Sequence, residues 1–160
     1  MRYYRFVISV VIAFLVINLS IAEEEYSANP FTASPEMVRE IKDVIFDKYI
    51  GGQIAGRADV IKDAFSPDAV MLSPILSDES ENSLNRWLDM HSEAEKWGAV
   101  ANSNIDINKV KILKLDIIDE RLATAQINML DRVFEVVTLV KTKHGWKIAS
   151  KVYVPQHQRL

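Results

Sequence analysis

The spacing of apolar residues changes period once along the chain, helical in the first part and alternating in the second. Val38, Ile41, Ile45 and Tyr49 recur at helical spacing, with Lys42 and Lys48 among the polar positions. Ser34-Pro35-Glu36 opens that helix: serine caps, proline fits the first turn, and an acid suits the positive end of the dipole. Gly51-Gly52 predicts its end, and Gly56 with Asp59 introduces a shorter helix over 58–65, closed by Ser66-Pro67. A short apolar strand follows at 69–72 and stops at Ser73-Pro74. A second long helix is predicted over 80–97, with Leu84, Trp87, Leu88 and His91 on one face. Beyond Ala101 the period becomes two, giving strands at 105–118, 122–130, 133–142 and 146–154. Asp119-Glu120-Arg121, Asp131-Arg132 and His144-Gly145 are tight enough to join them as antiparallel hairpins. The order α-α-β-α-β-β-β-β predicts an α+β domain, a cone-shaped curled antiparallel sheet wrapped on N-terminal helices.

The strand at 133–142 adds a constraint. One parity holds Val133, Glu135, Val137 and Leu139, and the other holds Phe134, Val136, Thr138 and Val140. An antiparallel strand with one wet face should alternate, so both sides of this one are expected to be covered. In 146–154, Trp146, Ile148, Val152 and Val154 share one parity, and Ala149 and Tyr153 fall on the other. Helices cover one side of such a sheet. A second copy of the chain is expected on the other, as a homodimer through the sheet face.

The first 22 residues differ from the rest. Arg2 and Arg5 precede the uncharged run 6–19, and Ser20-Ile21-Ala22 places small residues at the −3 and −1 positions before Glu23. That is the order of a secretory signal, and the run is short for a membrane helix of about 20 apolar residues. The expected organisation is a signal at 1–22, a flexible leader at 23–34, a folded domain at 35–155 and a tail at 156–160. The chain is then exported, periplasmic or secreted, without a stable membrane span after cleavage. An uncleaved anchor is the alternative. Cleavage removes two of the 19 basic residues and none of the 22 acidic ones, leaving a net charge of −5. A nucleic-acid partner is not expected, because phosphate neutralisation needs a basic face. With no cysteine, disulfides, thiolate catalysis and Cys-based metal sites are excluded.

Several local words resemble one superfamily: Tyr49-Ile50, Ala55-Gly56, the segment 64–69 (AFSPDA), Gly145-Trp146-Lys147-Ile148, and Lys151-Val152-Tyr153. In this order they resemble the nuclear-transport-factor-2-like proteins, which include ketosteroid isomerases, polyketide cyclases and the bacterial "putative lumazine-binding" group. The closing segment LVKTKHGWKIASKVY looks nearest to the last of these. The resemblance spans 37–154 and implies a cone enclosing one pocket. On the isomerase pattern Tyr49 falls at the oxyanion donor, while the residue before Pro74, where the general-base aspartate belongs, is Ser73. A serine hydroxyl cannot replace a carboxylate as proton shuttle near neutral pH. The lumazine-type group often carries an Asp-Tyr pair in the third sheet strand, and Val136-Val137 stands there.

The pocket candidates are therefore Tyr49, Phe65, Met71, Ser73, Trp87 and His91. Four of them have a plainer alternative: Tyr49 sealing the core, Ser73 as a strand exit, Trp87 and His91 as a core ring and a half-solvated imidazole. His91, His144 and His157 are scattered, and His91 with Glu95 makes only an i,i+4 pair, so neither a metal nor another cofactor is expected. No nucleophile-elbow motif is present. The function expected is binding of a small hydrophobic or aromatic molecule in a conical, mostly apolar pocket, with no catalytic residue assigned. Two rivals stay open. An isomerase, cyclase or dehydratase needs a carboxylate such as Glu135 or Asp116 in the cavity, and an interaction module needs the cavity filled.

Overall fold

The computed structural model describes residues 31–75 and 84–156. The expected signal at 1–22, most of the leader, and His157 with the end of the tail lie outside them. Helix α1 (Pro35–Asp43) starts as its sequence suggests: the Ser34 hydroxyl accepts from the Met37 N–H at 3.2 Å, and Pro35 lies in the first turn. The helix does not stop at Gly51-Gly52. It continues through a π-helical stretch (Val44–Ile50) into α2 (Gly51–Ala55) and ends at Gly56, which is left-handed at φ 65°. Gly52 serves packing rather than termination. A Cβ there would sit 2.7 Å from Ile61 Cγ1, so the missing side chain lets α3 (Ala58–Ala64) lie against α2.

Strand β1 spans Phe65–Pro74, longer than the apolar run alone suggested. Of the predicted helix over 80–97, residues 80–83 lie outside the described residues, and the rest is corrected to a strand followed by a short helix, β2 (Leu84–Trp87) and α4 (Met90–Trp97). Two causes favour the strand. Asn and Ser around position 85 form helix poorly, and β1 would otherwise present a row of unpaired backbone groups at the sheet edge. β2 pairs that edge antiparallel, Met71 opposite Trp87 and Ser73 opposite Asn85. Leu84, Trp87, Leu88 and His91 therefore share no helix face. Leu88 lies between the two elements and is exposed. Asp89 begins α4, its carboxylate accepting from the Ser92 N–H at 2.8 Å.

Asp106 caps a single 3-10 turn (Ile107–Lys109), so β3 begins at Val110 rather than at 105. β3 (Val110–Asp119), β4 (Leu122–Met129), β5 (Val133–Thr142) and β6 (Gly145–Pro155) then follow as hairpins. The six strands form one curved, open sheet in the order β2-β1-β6-β5-β4-β3. All pairings are antiparallel except β1 with β6. The α+β architecture is the expected one, with an added edge strand and one parallel junction.

Helices and sheet enclose one core. Ile41, Ile45, Tyr49 and Ile61 meet Ala123, Ala125, Ile127, Val137, Leu139 and Ile148, all buried. Each large aliphatic side chain buried this way is worth about 1.5–3 kcal/mol. Lys147 ties α3 to the sheet by donating to the Asp63 carbonyl and carboxylate, both at 2.5 Å. The opposite face leaves Phe134, Val136, Val152 and Val154 more than 40% exposed.

Candidate functional site

A register shift decides which side chains enter the concave face. Between Thr138 and Leu139 on β5 the pairing with β6 slips, because Leu139 lies opposite Ile148 while Thr138 lies opposite Ser150. Ala149 is the extra residue. Simple parity put Trp146, Ile148, Val152 and Val154 on one face. The bulge reverses it: Trp146 and Ile148 are buried, whereas Val152 and Val154 turn outward. Lys151 and Tyr153 turn inward as a result, opposite Val137 and Glu135.

Lys151 is thereby carried into the protein, 5% exposed, beside Glu135 at 3% and Tyr49 at 1%. The Lys151 ammonium donates to Glu135 Oε1 at 2.8 Å and also to the Tyr49 hydroxyl. The Tyr49 hydroxyl lies 3.1 and 3.2 Å from the two Glu135 oxygens and donates to that carboxylate. Three elements thus converge on one closed polar ring: the π-helical stretch, β5 and β6. Rings enclose it. Lys151 Nζ is 4.9 Å from the Tyr49 ring centroid and 5.1 Å from those of Trp97 and Tyr153. Such contacts offset part of the cost of burying an ammonium.

The electrostatics follow from this packing. Burial works to lower the Lys151 pKa, but the charge of Glu135 and the contacts with Tyr49 together outweigh it, and the ammonium is held above the ordinary lysine value. Burial, then the Glu135 charge, pushes the Tyr49 phenol well above its usual value. Near neutral pH the ring therefore holds a lysine cation and a neutral phenol. Its lysine is not an amine nucleophile, which would need a lowered pKa.

The ring forms the floor of a partly open cleft of about 250 Å3. Its walls include Met71, Trp87, Trp97, Met129, Val133 and Tyr153, with Gln53, Glu93 and Arg132 among the polar groups. Trp87 and Tyr153 lie with ring centroids 5.9 Å apart, and Tyr49 and Trp97 6.1 Å apart. Of the side chains singled out from sequence, Tyr49, Met71 and Trp87 meet in this cleft. Phe65, Ser73 and His91 are not among the residues that line it. Phe65 is buried edge-on against the Tyr49 ring at 5.3 Å. Ser73 is buried at the end of β1, 3.5 Å from Asn85 Nδ2. His91 lies in α4 with a buried Nε2 that has no hydrogen-bond partner. Glu95, spaced to join His91, instead pairs with Lys62. Among the described residues no three His, Asp or Glu side chains gather as metal ligands.

Of the two carboxylates weighed as possible acids, Glu135 enters the cleft. Asp116 lies opposite Thr124 on β4 and pairs with Lys114 at 2.7 Å, away from the cleft. In sequence Glu135 is a lone acid in a strand apolar on both faces, which left its side open, and the fold turns its parity inward. Lys151, Trp97, Tyr153 and Arg132 carried no comparable signal, because the bulge, the packing of α4 and the turn at Asp131 bring them in.

Residues 36–154 match the model of the family described as "Putative lumazine-binding". The fold is that of the nuclear-transport-factor-2-like proteins. A crystal structure of such a protein from Shewanella baltica OS155 superposes with a TM-score of 0.64 at 20% identity, covering 80% of this chain and all of that one. One from Methylobacillus flagellatus KT gives 0.59 at 19% identity, covering 78% and 96%. One from Silicibacter pomeroyi DSS-3 gives 0.58 at 14%, covering 78% and 100%. At these identities the likeness establishes the fold alone. No curated protein matches the chain.

Proposed function

The chain belongs to the "Putative lumazine-binding" family, and from its cleft we propose that it is an exported protein that binds a small, largely aromatic molecule. The observation that carries this reading is the aromatic-walled cleft of about 250 Å3 with a polar ring at its floor. The lining sets Gln53, Glu93, Arg132, Glu135 and Lys151 among these rings, which suits a small aromatic molecule that carries polar groups. An apolar cavity of about 150 Å3 holds benzene, and drug-sized pockets begin near 300 Å3, so one or two rings fit. Binding is favoured over acid–base catalysis because the one cleft carboxylate weighed as a base, Glu135, already accepts from Lys151 and Tyr49. A base must be free to take a proton from substrate.

Two further parts belong to this reading. The order of residues 1–22 supports export with cleavage after Ala22. Intact-mass measurement of secreted or periplasmic material should then begin at Glu23, and a full-length species that pellets with membranes speaks for an anchor. The outward apolar residues of β5 and β6 support a homodimer through the sheet face. The test of binding itself is native mass spectrometry of the purified protein. A reproducible added mass released on unfolding is expected. Bare protein, together with no melting-temperature shift across a set of one- and two-ring aromatic compounds, counts against a binding role.

A further inference from the structure

Among the charged groups of the cleft, Arg132 stands apart. Lys151 is matched by Glu135 at 2.8 Å and Glu93 by Lys96 at 2.6 Å. Arg132 has no carboxylate partner among the described residues, and its Nη1 is buried without a hydrogen bond. Its backbone is held firmly. The Arg132 N–H donates to the Met129 carbonyl, and the Gln156 N–H donates to the Arg132 carbonyl, both at 2.9 Å. It follows Asp131, whose φ of 66° makes the tight turn between β4 and β5. The turn thus delivers a guanidinium to the wall shared by the aromatic cleft and an adjoining polar one of about 380 Å3 near the 3-10 turn.

A buried, unmatched guanidinium N–H is costly, and native structures keep few of them. In a site it marks where a ligand acceptor belongs. Resting on the reading of the cleft as a small-molecule site, we propose that its ligand is a flat aromatic carboxylate. The ring lies along Trp87, Tyr153 and Trp97, and the carboxylate accepts from Arg132. The guanidinium is planar and presents paired donors in a fork that matches a carboxylate, whereas Lys151 is already committed to Glu135 and Tyr49. Arg132 is then the specificity-determining residue and the polar ring sets the depth of the site.

The test compares 2-naphthoate with 2-naphthalenemethanol, titrated into the full chain expressed with its own N-terminus and followed by tryptophan fluorescence. Naphthoate should bind about 10- to 100-fold tighter, the worth of a hydrogen bond to a charged group. Arg132→Gln should abolish that preference, so that naphthoate binds no more tightly than the alcohol. Arg132→Lys, which keeps the charge and loses the fork, should retain only part of it and serves if the glutamine variant does not fold. Equal affinities in the wild type, or a preference untouched in either folded variant, overturn the carboxylate assignment while leaving the binding role in place. Failure of both probes to bind at millimolar concentration overturns the two together.

Discussion

At the scale of single residues, the ring of Tyr49, Glu135 and Lys151 is the most consequential arrangement in the molecule. A buried ion pair is weak evidence for stability, because desolvation of both charges opposes their attraction. Removing one partner leaves the other charge unmatched. Glu135→Leu should therefore destabilise the protein by about 3–5 kcal/mol, while Glu135→Leu combined with Lys151→Met should recover most of that loss. Urea unfolding of the two variants checks this, and additive losses would count against a coupled pair. The ring also has a pH signature. Lys151 and Tyr49 both titrate above their ordinary values in the folded state, so the folded protein holds these protons more tightly than the unfolded chain. Their contribution is complete below the unfolded values of roughly 10 and 10.4 and is lost as pH rises beyond them. Melting temperature should fall between about pH 10 and 12 more steeply in the wild type than in a Tyr49→Phe, Glu135→Leu, Lys151→Met variant. Parallel curves would show that the ring contributes nothing there.

At the scale of elements, the join between α2 and α3 depends on Gly56. A Cβ there would lie 2.6 Å from the Ala101 nitrogen and 2.8 Å from the Val100 carbonyl carbon, and the left-handed backbone already disfavours a side chain. Gly56→Ala should cost more than about 1 kcal/mol, seen as a lower urea midpoint with an unchanged slope. A shift below about 0.5 kcal/mol would mean the turn relaxes freely. The bulge at Ala149 has a comparable role for the site, since it alone turns Lys151 inward while keeping Trp146 and Ile148 in the core. β2 acts differently, covering the β1 edge and placing Trp87 against Tyr153 at 5.9 Å.

At the scale of the whole molecule, the two sides of β5 meet different fates. Val137 is fully buried under the helices, whereas Val136 is 47% exposed beside Phe134, Val152 and Val154. Leu113 and Gln126 extend this outer face into a shallow groove. If a second copy covers it, the full chain should sediment as a dimer at micromolar concentration. Val136→Lys should then give a folded monomer, and Val137→Lys should unfold the domain by burying an unpaired charge. A wild-type monomer, or a dimer indifferent to Val136→Lys, would remove the sheet face as the contact.

Local pattern alone determined the α+β class, the helix start at Ser34-Pro35, and the four C-terminal strands with their hairpin turns. These follow from periodicity and capping, which act between residues near in sequence. Tertiary structure decided the rest. The helix ran through Gly51-Gly52 because α3 needed room beside Gly52 and the left-handed stop stood at Gly56. Residues 84–87 became strand because β1 had an unpaired edge. Lys151, Tyr153, Trp97 and Arg132 reached the cleft through a one-residue bulge, the seating of α4 and the turn at Asp131. Hydrophobic period records which face of an element is buried. It holds no record of where the register slips, or of which polar side chains then meet inside.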